Sequence, residues 1–201
     1  NLVSRTTAMV NKYFGGSLPA GCGATADEQQ LAAMVRMGST VELAANGDEA
    51  DPVLYDAQLV AQAAGLKKAY AHEMDTFAPH NALSEVFKVI QRANKYIDEN
   101  APWVLAKSEE QKPRLARVLY NLLETVRVCA GLLAPFMPDT SAEIAKRLGG
   151  ASMDWDSLNQ FGVLSHEAAT VAGAPLFPRI DMDKELAALE ELKKPAVQED
   201  P

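Results

Sequence analysis

The 201-residue sequence predicts an all-α fold, an antiparallel bundle of about five main helices. Apolar residues recur at spacings of three and four through several long segments, no strand alternation of comparable strength appears, and the breaks between segments are short and marked by proline or glycine. The body is expected over 1–181, with a surface excursion at 38–52, and a last helix and tail over 182–201 packing back on it. A hydrophobic content of 48% with 23% charge is ordinary for a soluble globular domain with a substantial core. No run of eighteen apolar residues and no secretory leader pattern occurs, so membrane insertion and export lack support and a cytoplasmic location is expected. Cys22 and Cys129 lack CxxC spacing and histidine neighbours, which predicts free thiols, Cys129 buried, and neither zinc nor a disulfide scaffold.

In chain order, Leu2, Thr6, Met9, Val10 and Tyr13 mark one face of a first helix that Gly15 and Gly16 end. Asn1 and Arg5, four apart, project from the same side. A loop rich in Gly, Pro, Ser and Thr covers 17–26, and a short helix with Leu31, Met34 and Val35 covers 27–37. Periodicity is lost over the acidic stretch 38–52, as in a surface loop. A long helix returns over 53–77 with Leu59, Ala63, Leu66, Tyr70, Met74 and Phe77 on one stripe, and Asn81 is the expected N-cap of the next helix. Pro113 suits the first position of a helix whose buried face is Leu115, Val118, Leu119, Leu122, Val126, Cys129, Ala130 and Leu133. Thr140 with Glu143 fits a capping box opening a short helix. Trp155 reads as a core anchor, 175–181 as an extended strap, and Leu186, Leu189 and Leu192 as the apolar side of a last helix capped by Asp181 or Asp183.

The segment 83–107 organises the rest. Leu83, Phe87, Ile90, Asn94 and Ile97 give it one expected buried stripe, and Ala101-Pro102 stops the helix because proline restricts the residue before it and lacks a backbone donor. Trp103 follows at once. An indole beside a rigid corner, with Asn94, Lys95 and Asp98 just upstream, suits a flat ligand such as a nucleobase; on residue type alone it equally suits an aromatic closing the end of the core. The net charge of −8 argues against a general nucleic-acid binder but not a selective one, since residues 85–127 hold eight cations against six acids. A local excess that small is also what a solvated helix face shows.

The wording NKYIDENAPWVLAK at 94–107, with NLVSR at 1–5, LLAPFMPDTSAEI at 132–144 and PLFPRID at 175–181, resembles the C-terminal part of bacterial methionyl-tRNA synthetases across nearly the whole chain. Sibling class I enzymes for valine, leucine and isoleucine share the APFMP text, so the first two segments carry the resemblance to the methionine family. The resemblance implies the class I type of anticodon-binding helical domain, with the anticodon loop of tRNA(Met) as partner, alongside the enzyme's own N-terminal catalytic domain, and no DNA. By the family's motif, Asn1, Arg5 and Trp103 contact the first anticodon base, and Asn94, Asp98 and Pro102 support them, with Asp98 expected to orient Arg5 by charge pairing. The excursion at 38–52 departs from the family pattern and does not align residue by residue.

No P-loop, G-x-S-x-G or H-E-x-x-H motif occurs, and His72, His80 and His166 have no metal-ligand spacing. The HIGH and KMSKS signatures by which class I synthetases bind ATP are missing as well. No catalytic residue, metal or cofactor is therefore expected in this chain; ATP with magnesium is implied only for a parent ligase. Two other readings remain, the anticodon domain of a sibling class I synthetase and a non-catalytic helical protein-interaction module.

Overall fold

The computed structural model describes residues 2–23, 25–37, 52–166 and 169–192, and every long element among them is an α-helix. Asn1, the excursion up to residue 51 and the tail from 193 onward lie outside the described residues. The helices are α1 (Leu2–Phe14), α2 (Ala26–Arg36), α3 (Pro52–Asp75), α4 (Pro79–Asn100), α5 (Pro102–Leu105), α6 (Lys112–Leu133), α7 (Pro138–Arg147) and α8 (Met182–Leu192). α6 is the axis. Every residue from Leu115 to Leu132 except the half-buried Arg117 is buried, because α1, α3, α4, α5 and α7 all pack on α6, and a helix enclosed in this way has almost no face left for solvent.

One core cluster joins α1, α4 and α6 through Leu2, Val10, Ala93, Ile97, Leu119 and Leu122; a second joins α3, α4 and α6 through Leu66, Val86 and Leu132. The ion pair inside α6 is matched locally. Arg127 and Glu124, both fully buried, pair at 3.0 Å. Arg127 also donates to the carbonyls of Ser152, Ser157 and Gln160, and Glu124 accepts the backbone N–H of Leu164, so this pair ties the irregular chain after α7 to the core.

Helix starts follow proline more closely than the sequence reading expected. α4 begins with Pro79 in its first turn after Ala78, and Asn81, the expected N-cap, instead donates to Glu73 at 2.9 Å. α7 likewise begins at Pro138, which places Thr140 inside the helix and removes the expected capping box. The real capping box is Thr25 with Glu28. Thr25 Oγ1 accepts the Glu28 N–H at 3.1 Å, and Glu28 Oε2 accepts the Thr25 N–H at 2.5 Å.

Four other expectations are corrected. The buried face of α4 runs through Ala82, Val86, Val89, Ala93, Tyr96 and Ile97, so the stripe of Leu83, Phe87, Ile90 and Asn94 lies on its flank and Phe87 is 51% exposed. α4 is gripped between α3 and α6, and the small side chains of Ala82 and Ala93 are fully buried there. Phe77 does not continue the α3 stripe: with φ of 57° it forms the turn to α4 and stands 93% exposed. Trp155, half-exposed, lies under Lys67 at 4.5 Å and beside Tyr70 at 6.3 Å instead of filling the core. In α8 every residue is exposed, Leu186, Leu189 and Leu192 included, where packing on the bundle was expected. Both cysteines are free and buried, and burial raises the Cys129 thiol to about 12.

Candidate nucleic-acid interface

The α4–α5 corner is built by two backbone facts. Ala101 takes the left-handed conformation at φ 42°, ψ 62° and closes α4 through its N–H to the Ile97 carbonyl at 2.9 Å. A non-glycine residue held there is uncommon and costs about 1–2 kcal/mol, so the surroundings must hold it. Pro102, buried, then opens the four-residue α5, and its carbonyl accepts the Ala106 N–H at 3.0 Å. Leu105 and Ala106 turn inward onto the core cluster that also receives Val3 and Met9 of α1. Trp103 and Val104 turn outward, and the indole is 45% exposed. Trp103 is thus a ring seated on a rigid corner with its outer part in solvent, and Leu105 closes the core in its place.

A polar network stands behind the corner. Asn100, the last residue of α4, donates to the Tyr96 carbonyl at 2.9 Å and accepts from Arg114 Nη2 at 2.5 Å. Arg114 also grips Asp56 of α3 with both nitrogens, at 2.5 and 2.9 Å, and Tyr96 donates its hydroxyl to the same carboxylate at 2.5 Å. Burial and then the Asp56 charge raise the Tyr96 phenol well above its ordinary range. For Arg114, burial works against the charge, but the hydrogen bond to Asp56 and the charges of Tyr96, Asp56 and Glu28 more than offset it. The network continues through Asn121 to Glu28 of α2, which also pairs with Arg117 at 2.7 Å.

The sequence-predicted residues are only partly brought together. Asn94 donates to the Ile90 carbonyl of its own helix at 2.9 Å and lines, with Leu2 and Val3 of α1, one apolar groove of about 370 Å³. The first turn of α1 and the middle of α4 therefore meet. Arg5 and Asp98 are both exposed and form no ion pair with each other, so the expected charge pairing is absent. Each of the two approaches solvent independently. Asn1 is outside the described residues.

The local charge excess also reads differently in three dimensions. Lys88, Arg92, Lys95, Lys112, Arg114, Arg117 and Arg127 all pair with acids. Of the eight cations in 85–127, only Lys107 has no ion pair among the described residues; it is exposed, four positions after Trp103. Sequence reasoning counted Lys107 but had no means of telling it from the committed cations. Arg114 was likewise counted only as one of the eight cations, and Asn100 and Asp56 were missed.

The description of a known family, the anticodon-binding domain of methionyl-tRNA ligase, matches residues 47–191. The chain belongs to that family. It is similar to the methionine–tRNA ligase of Caldanaerobacter subterraneus subsp. tengcongensis, 40% identical over 94% of this chain and 26% of the relative, and to that of Bacillus subtilis, 35% identical over 93% and 24%. The crystal structure of the free methionyl-tRNA synthetase of Mycobacterium tuberculosis superposes with a TM-score of 0.67 at 30% identity, covering 90% of this chain and 31% of that one. The chain thus spans about a quarter of the length of the curated relatives it matches. Membership in the methionyl-tRNA ligase family agrees with the all-helical fold and with the reading of the α4–α5 corner as part of an anticodon-binding domain. Among the described residues no three His, Cys, Asp or Glu side chains gather as a metal site, and no helix is long and apolar enough to cross a membrane.

Proposed function

We propose that this chain reads the anticodon loop of tRNA(Met) for a methionine–tRNA ligase, in the cytoplasm, with the ATP- and magnesium-dependent attachment of methionine carried out by a catalytic domain of the same enzyme. The methionine anticodon begins with cytosine. Unstacked from its loop, that base lies on the Trp103 indole while Asn1 and Arg5 test its edge: arginine forks onto base acceptors and asparagine offers both a donor and an acceptor. Stacking on an aromatic contributes about 1–3 kcal/mol for any base, so discrimination rests on the polar edge contacts. Pro102 fixes the corner, Asn94 braces α4 beside the first turn of α1, and Asp98, unpaired with Arg5, sets the acidic margin of the site.

The observation that carries this reading is the outward-turned Trp103 on a corner whose own neighbours fill the core, with Arg5 and Lys107 exposed and without an ion pair among the described residues. Titration of the chain with hairpins differing only in the three anticodon bases tests it. The hairpin beginning with cytosine and carrying the methionine triplet should bind best; preference for a valine, leucine or isoleucine triplet would assign the chain to a sibling enzyme, and indifference to all of them would leave only a helical scaffold.

A further inference from the structure

The half-exposed ring of Trp103 stands on a short element. α5 is four residues long, and the helix before it ends on Ala101 in a backbone conformation that alanine rarely adopts. The side chain of Asn100 ties the last turn of α4 to Arg114, which reaches across from the first turn of α6. Arg114 is itself clamped by both oxygens of Asp56 and by the Pro52 carbonyl at 3.2 Å, so three helices converge on one guanidinium. The planar fork with several donors is what this arrangement uses; a lysine in its place would reach one acceptor at a time.

From this geometry we infer that Arg114, clamped by Asp56 and acting through Asn100, is a positioning residue that sets where the Trp103 indole stands for an incoming base. The inference rests on the anticodon reading above and adds the determinants of its precision. Neither Arg114 nor Asn100 touches the base. Losing their bond frees the last turn of α4 to shift, and a displacement of about 1 Å suffices to spoil a stacked and hydrogen-bonded geometry. The start of α3 is thereby coupled to the corner, since Asp56 serves both Arg114 and Tyr96.

The test uses the full chain with Trp155→Phe, so that Trp103 alone reports fluorescence. Asn100→Ala and Arg114→Lys should change the accessibility of Trp103 to a neutral quencher, while circular dichroism keeps its helical signature. Both should weaken binding of the cytosine-first hairpin about tenfold and narrow its preference over a uracil-first hairpin. In a Trp103→Ala background the effect of Asn100→Ala on binding should vanish, because the two act on one contact. An unchanged quenching constant, or an equal loss of binding in both backgrounds, overturns the inference. Should Trp103→Ala leave hairpin binding intact while Asn100→Ala alters quenching, the positioning network stands and the anticodon reading of Trp103 is what fails.

Discussion

Trp103 is the residue where fold and function meet, and its substitution separates them. Trp103→Ala removes a ring that is nearly half in solvent and contributes little to the core, so helix content should hold while the affinity for the cognate hairpin falls by about 1–3 kcal/mol, roughly 5- to 150-fold. Trp103→Phe should keep most of that affinity because a smaller aromatic face remains; a mobility-shift titration of the three proteins checks both. The opposite pattern, parallel loss of helicity and binding, would return Trp103 to the role of a core aromatic. Asp98→Ala should leave the cytosine preference nearly unchanged, since Asp98 and Arg5 form no pair to be broken.

Among the elements, α6 is limited by close packing and α2 is stabilised by a local capping box. Gly131 lies in α6 where an added Cβ would come within 2.5 and 2.8 Å of the two Leu158 methyl groups, and Leu158 is itself buried. Alanine would ordinarily gain up to about 1 kcal/mol in a helix, but here overpacking should dominate, and Gly131→Ala should destabilise by about 1–3 kcal/mol in urea unfolding. Thr25→Ala should cost about 0.5–2 kcal/mol by opening the capping box of α2. The helices themselves were legible because their starts are written in Pro52, Pro79, Pro102, Pro113 and Pro138 and because the apolar face of α6 repeats from Leu115 to Leu133. The orientation of α4 was not: Ala82, Val86 and Ala93 follow the same period as Leu83, Phe87 and Ile90, and only the closeness of α3 and α6 decides that the smaller set faces inward. The Thr25–Glu28 box stood in plain view as a T-x-x-E pattern. The bond between Arg114 and Asp56 joins residues 58 positions apart and leaves no trace in spacing.

Across the whole molecule, buried neutral acids define how stability responds to alkali. Burial raises Cys129 from 9.0 to about 12, and burial with Asp56 raises Tyr96 well above 10.0. Folding therefore favours the protonated forms: the contribution is complete below the ordinary values and is lost as pH climbs through the raised ones. Stability should decline above about pH 9, by about 1.4 kcal/mol per pH unit for each group that must ionise on unfolding. Cys129→Ala should remove the portion that begins near 9, as seen by urea unfolding between pH 8 and 11. Arg127→Met should be the most damaging of the single changes, about 3–5 kcal/mol, because it strands the Glu124 carboxylate in the core and frees the chain after α7. Finally, seven of the eight cations in 85–127 already neutralise the protein's own acids. Few bound sodium or potassium ions would then be expelled when an RNA loop arrives at this segment, and with Lys107 its one cation without an ion pair among the described residues, the logarithmic salt slope should be only about −1 to −2. An adaptor of this kind would hold its ligand mainly by stacking and edge recognition, losing only about 4- to 16-fold between 50 and 200 mM salt.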